Sequence, residues 1–473
     1  MKAYIFFSVH EELFWRVAEL LRSRGVDSFS GFVWGDQQRK AIAGHGIDYN
    51  PLIVFTRDLL PAYNDGKRPD LDWIRRREQE LGISIQRMIA SERHLLKGRS
   101  FDQIMRMAEV ALREIAAAYD RIQPTFAFSE DISCFHSYLH FALARERGIK
   151  FWCISTGRLP QRLSVYSEGM QHWEHLERKL AELQQRGLTA DERAAAQQYV
   201  TAFRDRPARP TGMSTRARKP KVELADWSRL TQAASRYFGD RDDPTAVGPM
   251  QAIDQRLRRI ARVASADLRG VFEKPVEGEK YVLYPIHFQP EASTLVQAPL
   301  YVDQVALLRD IATSLPADHR LYVKEHVSNR GRRPIEFYEQ IRAIPSVRLL
   351  GPDEDTWLLI RNASVISVIT GTVGWEGLMF DKPVVTFGDV FFNLLPQVYR
   401  AGRAPKDDWY RIFDEAATRH RPEPEGVLQM VSALQHSSYP GFMSNPSSFP
   451  EVLEPANVAA IAKALADEVG LPA

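Results

Sequence analysis

The stretch YVLYPIHFQPEAST, followed in order by LYVKEH, SVISVITGTVGWEGL and KPVVTFG, constrains this chain more than any other feature. Between residues 281 and 393 each piece reads as a buried strand whose C-terminal end runs into a turn rich in Gly, Pro, His or Glu. Runs that are apolar from end to end suit strands covered on both faces, as in a parallel sheet between helices. In an open sheet of that kind the ligand lies beyond the carboxyl ends of the strands. The loops converge there, and helix N-termini point free N–H groups outward.

At 473 residues the chain is long for one core, which favours two or three domains. A net charge of only +2 argues against a dedicated nucleic-acid binder. Cys134 and Cys153 are too few for a disulfide framework or a four-thiolate zinc site, and both lie in apolar surroundings as reduced core residues. The opening MKAYIFFSVHEELFW meets acids at Glu11 and Glu12 and shows no small-residue cleavage site, unlike a signal peptide. No run approaches the ~20 apolar residues of a spanning helix. The expected location is the cytoplasm, or the inner face of the cytoplasmic membrane as a peripheral protein.

The N-terminal part reads as its own α/β unit. AYIFFSV is a strand, Glu11 to Arg24 an amphipathic helix closed by Gly25, and Phe29 to Trp34 a second strand. PLIVFTRDL reads as another strand, and Trp73 to Tyr119 is strongly helix-forming. TFAFSED is a strand ending in an acidic turn, followed by a helix to Arg147 and the strand KFWCIST. Tyr166 to Phe203 reads as helical. The segment 204–221 carries seven basic residues against one acid, with Pro207, Pro210 and Pro220, so it cannot build a core and reads as a solvated linker. Its charge could also meet anionic lipid. Helical patterns return over 225–271, and a final helix covers Ala456 to Val469.

In the later stretch, strand 281–285 delivers His287, Gln289, Pro290 and Glu291 into its loop, and strand 321–324 delivers Glu325 and His326. VISVIT runs into Thr370, Gly371, Thr372, Val373, Gly374 and Glu376. The TGTVG turn offers two glycines and two hydroxyls at a helix N-terminus, where unpaired N–H groups and the helix dipole favour a phosphate. A carboxylate at Glu376, about one turn in, can take both hydroxyls of a ribose. His287 and His326, at the ends of two neighbouring strands, can donate to phosphate or carboxylate oxygens or shuttle protons. No metal-ligand spacing accompanies them, so no metal is expected. Asp353, Glu354 and Asp355 imitate a DxD motif but precede TWLLI and read better as a helix cap.

Gln289-Pro290, Lys324-Glu325-His326, ITGTVGWEGL and KPVVTFG together resemble the bacterial capsule polysaccharide biosynthesis proteins, which include β-Kdo glycosyltransferases using CMP-Kdo. The likeness covers about 281–393 well and the remainder in outline. It implies a GT-B-like α/β fold of two Rossmann-like domains facing across a cleft, with helical insertions. It also implies a donor nucleotide on the C-terminal domain and an acceptor on the N-terminal one. Gln289, Pro290, Lys324, Glu325 and His326 would then lie in the nucleotide site, while Thr370, Gly371, Thr372, Val373, Gly374 and Glu376 hold phosphate and ribose. Where the family usually shows His-Pro, this chain has His326-Val327, which bears on the identity of the donor.

On the acceptor side, strand ends present Ser8 and His10, Glu130 and Asp131, and Thr156, Gly157 and Arg158. An inverting transferase needs a base near the acceptor hydroxyl and a cation or dipole for the departing phosphate. The catalytic candidates are Glu130, Asp131 and His287, with His10 and Arg158 on the acceptor and Arg158 suited to an anionic group. The expected organisation is an acceptor-side domain over 1–203, a basic linker over 204–224 and a helical connector over 225–275. A donor domain over 276–435 and a terminal loop and helix over 436–473 follow. The leading expectation is a metal-independent glycosyltransferase that moves Kdo or another acidic sugar from a CMP donor onto a surface polysaccharide or glycolipid. It needs no cofactor beyond the nucleotide-sugar co-substrate and no nucleic-acid partner. A nucleotide-sugar epimerase of the same fold and a non-catalytic capsule assembly or export subunit are the alternatives.

Overall fold

The computed structural model of the chain describes residues 1–169, 173–207, 237–244 and 246–472. Most of the basic segment expected over 204–221 and the first part of the 225–271 helical stretch lie outside the described residues.

The first sheet is built from β1 (Lys2–Phe6), β2 (Ser28–Val33), β3 (Tyr49–Val54), β4 (Phe126–Ser129), β5 (Lys150–Thr156) and β6 (Arg162–Tyr166). These six run in the order β6-β5-β4-β1-β2-β3, with every pairing among them parallel except β5 with β6. The second sheet holds β7 (Tyr281–Pro285), β8 (Arg320–Lys324), β9 (Val347–Leu350), β10 (Val365–Val368), β11 (Val384–Thr386) and β12 (Val398–Tyr399). It is parallel throughout, in the order β12-β11-β10-β7-β8-β9. Both are doubly wound sheets: the chain adds strands to one side of the first strand, then returns and adds them to the other. The expected fold of two Rossmann-like halves with helical insertions is what the chain adopts.

The local chemistry accounts for most of the elements. The helix Phe101–Ile122 starts at a capping box in which Ser100 and Gln103 exchange side-chain and backbone hydrogen bonds, and its buried face carries Met107, Ala111, Ile115 and Ala118. The Ala190–Asp205 helix starts the same way, with Thr189 and Glu192. Asp355 caps Thr356–Asn362 by accepting from Trp357 and Leu358 N–H, so the acidic triplet is a cap as expected. Two expectations fail. Tyr166 ends strand β6 instead of starting a helix, because RLSVY pairs antiparallel with β5. In PLIVFTRDL the strand stops at Val54, where Asp58 accepts from its N–H at 2.8 Å and draws Phe55–Leu59 into a wide helical turn.

After the helix Pro424–His436 the chain returns to the first half. Strand β13 (Tyr439–Pro440) joins β6 antiparallel, and the helix Pro455–Val469 packs beside Glu11–Arg22. Asn457 secures this return by accepting from Phe442 N–H and donating to the Phe442 and Val452 carbonyls. The helices Glu174–Arg186 and Ala190–Asp205 pack on Pro424–His436. The two places where the chain passes between halves lie side by side. Arg162 donates to the Gln435 and Ser438 carbonyls and to Ser438 Oγ, and His175 Nε2 lies 2.9 Å from the Ser437 carbonyl. Among the described residues no helix is long and apolar enough to cross a membrane.

The first core contains an uncommon polar inclusion. His136 and His140 on the Phe135–Glu146 helix are wholly buried among Tyr4, Phe6, Phe32, Trp34 and Tyr119. His136 Nε2 meets Tyr63 Oη at 2.8 Å, but neither ring nitrogen of His140 has a hydrogen-bond partner. Burial lowers His136 to about 4 and His140 well below the ordinary 6.5. Below pH 6.5 the unfolded chain therefore binds protons that the native one refuses, and stability falls as pH drops, by about 1.4 kcal/mol per pH unit for each ring. Urea unfolding at pH 5, 6 and 7 is expected to show His140→Phe flattening that slope by one such share. The variant should be no less stable than the parent at pH 7, since two unsatisfied buried atoms are removed.

Candidate functional site

Strand order reverses once in each sheet, between β1 and β4 in the first and between β7 and β10 in the second. Loops on either side of a reversal run to opposite faces and leave a crevice beyond the strand ends. The residues singled out from sequence fall on these loops. Ser8 and His10 follow β1, and Glu130 and Asp131 follow β4. His287 to Pro290 follow β7, and Thr370 to Glu376 follow β10.

In the second crevice, His287 is held from three sides. Its N–H donates to Gln304 Oε1 at 2.8 Å, and its carbonyl accepts from Gln304 Nε2 at 3.1 Å and Arg333 Nη2 at 2.7 Å. The ring packs on the opposite loop: a Cβ on Gly371 would sit 3.3 Å from its Cε1 and Nε2. Burial, reinforced by the charges of His326 and Arg333, lowers the imidazole to about 3, so it is neutral at physiological pH. Its Nε2 is buried with no hydrogen-bond partner. Thr370 Oγ1 ties the two loops together by donating to the Ser293 carbonyl at 3.0 Å. Gly371 caps the helix Thr372–Met379, whose first N–H groups open at this point. Val373 and Gly374 lie on the packed side of that helix, where a Cβ at 374 would strike Phe392 at 2.7 Å. Glu376 is buried further along, near enough to Tyr199 to help burial raise that phenol.

The β8 loop divides into parts that face the crevice and parts that build the loop. His326 is half-buried, with Nδ1 accepting from Ser328 N–H at 3.1 Å, which assigns the proton to Nε2. His326 lies near enough to His287 to help lower that imidazole, and its ring sits 6.2 Å from that of Phe288. Lys324 is buried with Nζ on the carbonyls of Pro352 and Glu325 at 3.2 and 3.4 Å. Glu325 is wholly buried; its Oε1 accepts from His326 N–H and Asn329 Nδ2, and its Oε2 lies 3.4 Å from Arg333 Nε. Burial raises this carboxyl above its usual range. Lys324 and Glu325 thus shape the loop from beneath. Gln289 turns its amide nitrogen to the Val302 carbonyl at 2.8 Å, and the Gln289-Pro290 bond is cis.

In the first crevice Glu130 receives a hydrogen bond from Ser8 Oγ and lies 3.2 Å from His10 Nδ1. Its side chain keeps 22% exposure while His10 is buried. Asp131 differs: Ser155 Oγ donates to it at 2.8 Å, Tyr166 Oη donates to its other oxygen, and burial raises its carboxyl. Both acids are held by neighbours, and Glu130 keeps part of its side chain exposed. Arg158 lies over the rings of Trp173 and Phe391 at 5.5 and 5.8 Å, with Nε buried and unpartnered. Glu291, from the other half, feels both Arg158 and Arg93, and its crowded surroundings raise its carboxyl. The loop after β7 thus comes close to Arg158 of the first half.

Sequence reading missed Gln304, Arg333, Ser155, Tyr166, Tyr199 and the Trp173–Phe391 pair. Arg333 stands in a conspicuous basic run, but nothing in the sequence pairs Gln304 with a histidine 17 residues before it. Replacing this glutamine removes both bonds to the His287 backbone. Gln304→Leu is expected to lower stability by roughly 1–3 kcal/mol in urea unfolding and to speed amide exchange at His287.

Residues 280–396 match the family model described as capsule polysaccharide biosynthesis protein. No curated protein sequence matches the chain. Among solved structures, the chain is similar to the KpsC β-Kdo 2,7 transferase of Thermosulfurimonas dismutans at 12% identity, over 72% of this chain and 88% of that one, with a TM-score of 0.39. The β-Kdo 2,4 transferase of the same KpsC matches at 13% identity, over 72% and 87%, with a TM-score of 0.38. A UDP-GlcNAc 2-epimerase from Neisseria meningitidis matches at 10% identity, over 92% and 98%, with a TM-score of 0.26. The match to the capsule polysaccharide biosynthesis family model falls on the segment 280–396, which carries the crevice at β7 and β10.

Proposed function

We propose that the chain is a glycosyltransferase of surface polysaccharide synthesis. It takes a sugar from a nucleotide-linked donor in the second crevice and passes it to a saccharide or glycolipid acceptor in the first. The observation that carries this reading is the meeting of His287, Thr370 and Gly371 at the strand-order reversal of the family-matched segment, with the partly exposed Glu130 in the first crevice. The donor in this reading is a CMP-linked acidic sugar such as Kdo, and the work is done at the inner face of the cytoplasmic membrane.

The roles follow from the groups present. Glu130 accepts the proton of the acceptor hydroxyl as that oxygen attacks the anomeric carbon; Ser8 and His10 hold the carboxylate in place. The bond from the anomeric carbon to the phosphate oxygen breaks, and the electron pair leaves with the nucleotide. The N–H groups at Thr372–Met379 and the neutral His287 ring, donating from Nε2, meet the charge that collects on the phosphate. These dipoles do the work a cation would otherwise do, so the transfer is read as needing no metal. Glu376 takes the ribose hydroxyls, and His326 donates from Nε2 to the donor.

CMP is expected to raise the unfolding temperature, and Glu376→Ala to abolish that rise. Absence of any shift with CMP, UDP or GDP would overturn the donor site. Glu130→Gln should lower the rate of acceptor-dependent nucleotide release by roughly 100-fold or more, with CMP protection unchanged and with activity retained in EDTA throughout.

A further inference from the structure

The helix Pro249–Leu268 stands outside the family-matched segment, and its amphipathic pattern runs the wrong way round for a supporting helix. Of its twenty residues Ala266 alone is buried. A helix in a globular protein draws most of its stability from an apolar face laid on the core. Here the face laid on the protein is largely polar. Arg259 Nε donates to the Arg330 carbonyl at 2.8 Å, Arg262 donates to the Arg332 carbonyl, and Gly331 packs so close that a Cβ there would lie 2.8 Å from Val263 Cγ2.

The apolar residues face outward. Met250, Ile253, Leu257, Ala261, Ala264 and Leu268 are all exposed, Met250 at 78%, Leu257 at 62% and Leu268 at 88%. At 100° per residue these six positions fall within one narrow arc, opposite Arg259 and Ala266, and form a stripe about 27 Å long. Chance exposure does not produce such alignment. Of the fifteen large apolar side chains left exposed among the described residues, six lie between Phe238 and Leu268.

Charge selects what can cover the stripe. Residues 249–269 carry five arginines against Asp254 and Asp267. Arg258 pairs with Asp254 at 2.8 Å and Arg269 with Glu339 at 2.7 Å, and all four side chains are about half exposed or more, so these pairs exchange readily for other anions. Positive charge is in local excess: burial lowers the Arg259 guanidinium, and the charges of Arg332 and Arg330 lower it further. A second copy seated here about a two-fold axis would set these arginines against their own equivalents. An apolar stripe flanked by arginines fits a surface that is apolar within and anionic at its boundary.

Resting on the membrane-face location proposed above, though not on the donor or the transfer, we infer that Pro249–Leu268 is a docking surface for an anionic lipid bilayer. The helix lies in the plane of the interface, with Met250, Ile253, Leu257 and Leu268 among the acyl chains and its flanking arginines on the headgroup phosphates.

Co-sedimentation of the full chain with vesicles tests this. Binding is expected to vesicles of phosphatidylglycerol and phosphatidylcholine in equal parts, and to be at least ~tenfold weaker to phosphatidylcholine alone. Ile253→Glu with Leu257→Glu should weaken binding at least ~tenfold; both side chains are exposed, and an unchanged unfolding midpoint checks the fold. Since Cys134 and Cys153 are buried, an environment-sensitive dye placed through Leu257→Cys reports position 257, and its emission should shift to the blue on adding the anionic vesicles. Vesicle binding that ignores the double variant, or a dye that does not shift, overturns the helix surface and leaves the membrane location standing. No binding to either vesicle overturns both. A blue shift that grows with protein concentration without lipid, alongside dimers in sedimentation, overturns the inference in favour of contact between copies. CMP protection, measured on the unaltered chain without lipid, decides the donor reading separately from all of these.

Discussion

Crossovers between parallel strands are right-handed, so a sheet that grows first to one side of its founding strand and then to the other must part its loops where the direction changes. Both sheets obey this constraint, at β1 and β4 and at β7 and β10, and the polar chemistry of the molecule gathers at those two openings. The strands on either side of each reversal are largely apolar on both faces and leave no place for a charged group in their interiors. The openings give each loop side chain a wall on one side and solvent on the other. Glu130 and His287 can be polar because the strand order leaves them room.

Polar groups in such places must be held still at a cost. Gln304 spends its whole amide on the His287 backbone, and Glu325 is taken out of water so that its loop can close over Asn329 and Arg333. These supports keep an imidazole neutral and aimed beside the Thr372–Met379 helix, where a charged ring would carry its own hydration. In the first crevice Asp131, fixed by Ser155 and Tyr166, shapes the surroundings of Glu130. Each crevice thus pairs one presented group with one that stays committed to the scaffold.

Much of this was legible in the sequence, for a physical reason. Strands buried on both faces leave unbroken apolar runs, and a turn after each run marks the side where ligands gather, so the β7 to β11 series and the loops carrying Glu130, His287 and Gly371 could be read directly. Edge strands could not. RLSVY alternates weakly, and β13 is two residues long, so both depend on partners distant in the chain. Nor does the sequence show which way a strand-end side chain turns. Lys324, Glu325 and His326 are consecutive, yet the first two serve the loop and the third faces outward, a distinction set by pleat and packing. Nothing in the sequence pairs Trp173 with Phe391, whose stacking joins the two halves.

The return of the chain to its first half after His436 does more than add a strand. With Arg162 bound to Gln435 and Ser438, and His175 beside Ser437, the outward and homeward passages are laced into one seam. Two bodies joined along a seam swing like the covers of a book and do not slide past one another. Opening then varies most at the fore-edge, farthest from Arg162, and least beside the spine. On the transferase reading proposed above, a long acceptor enters at the wide margin while the groups nearest the spine keep their mutual distances.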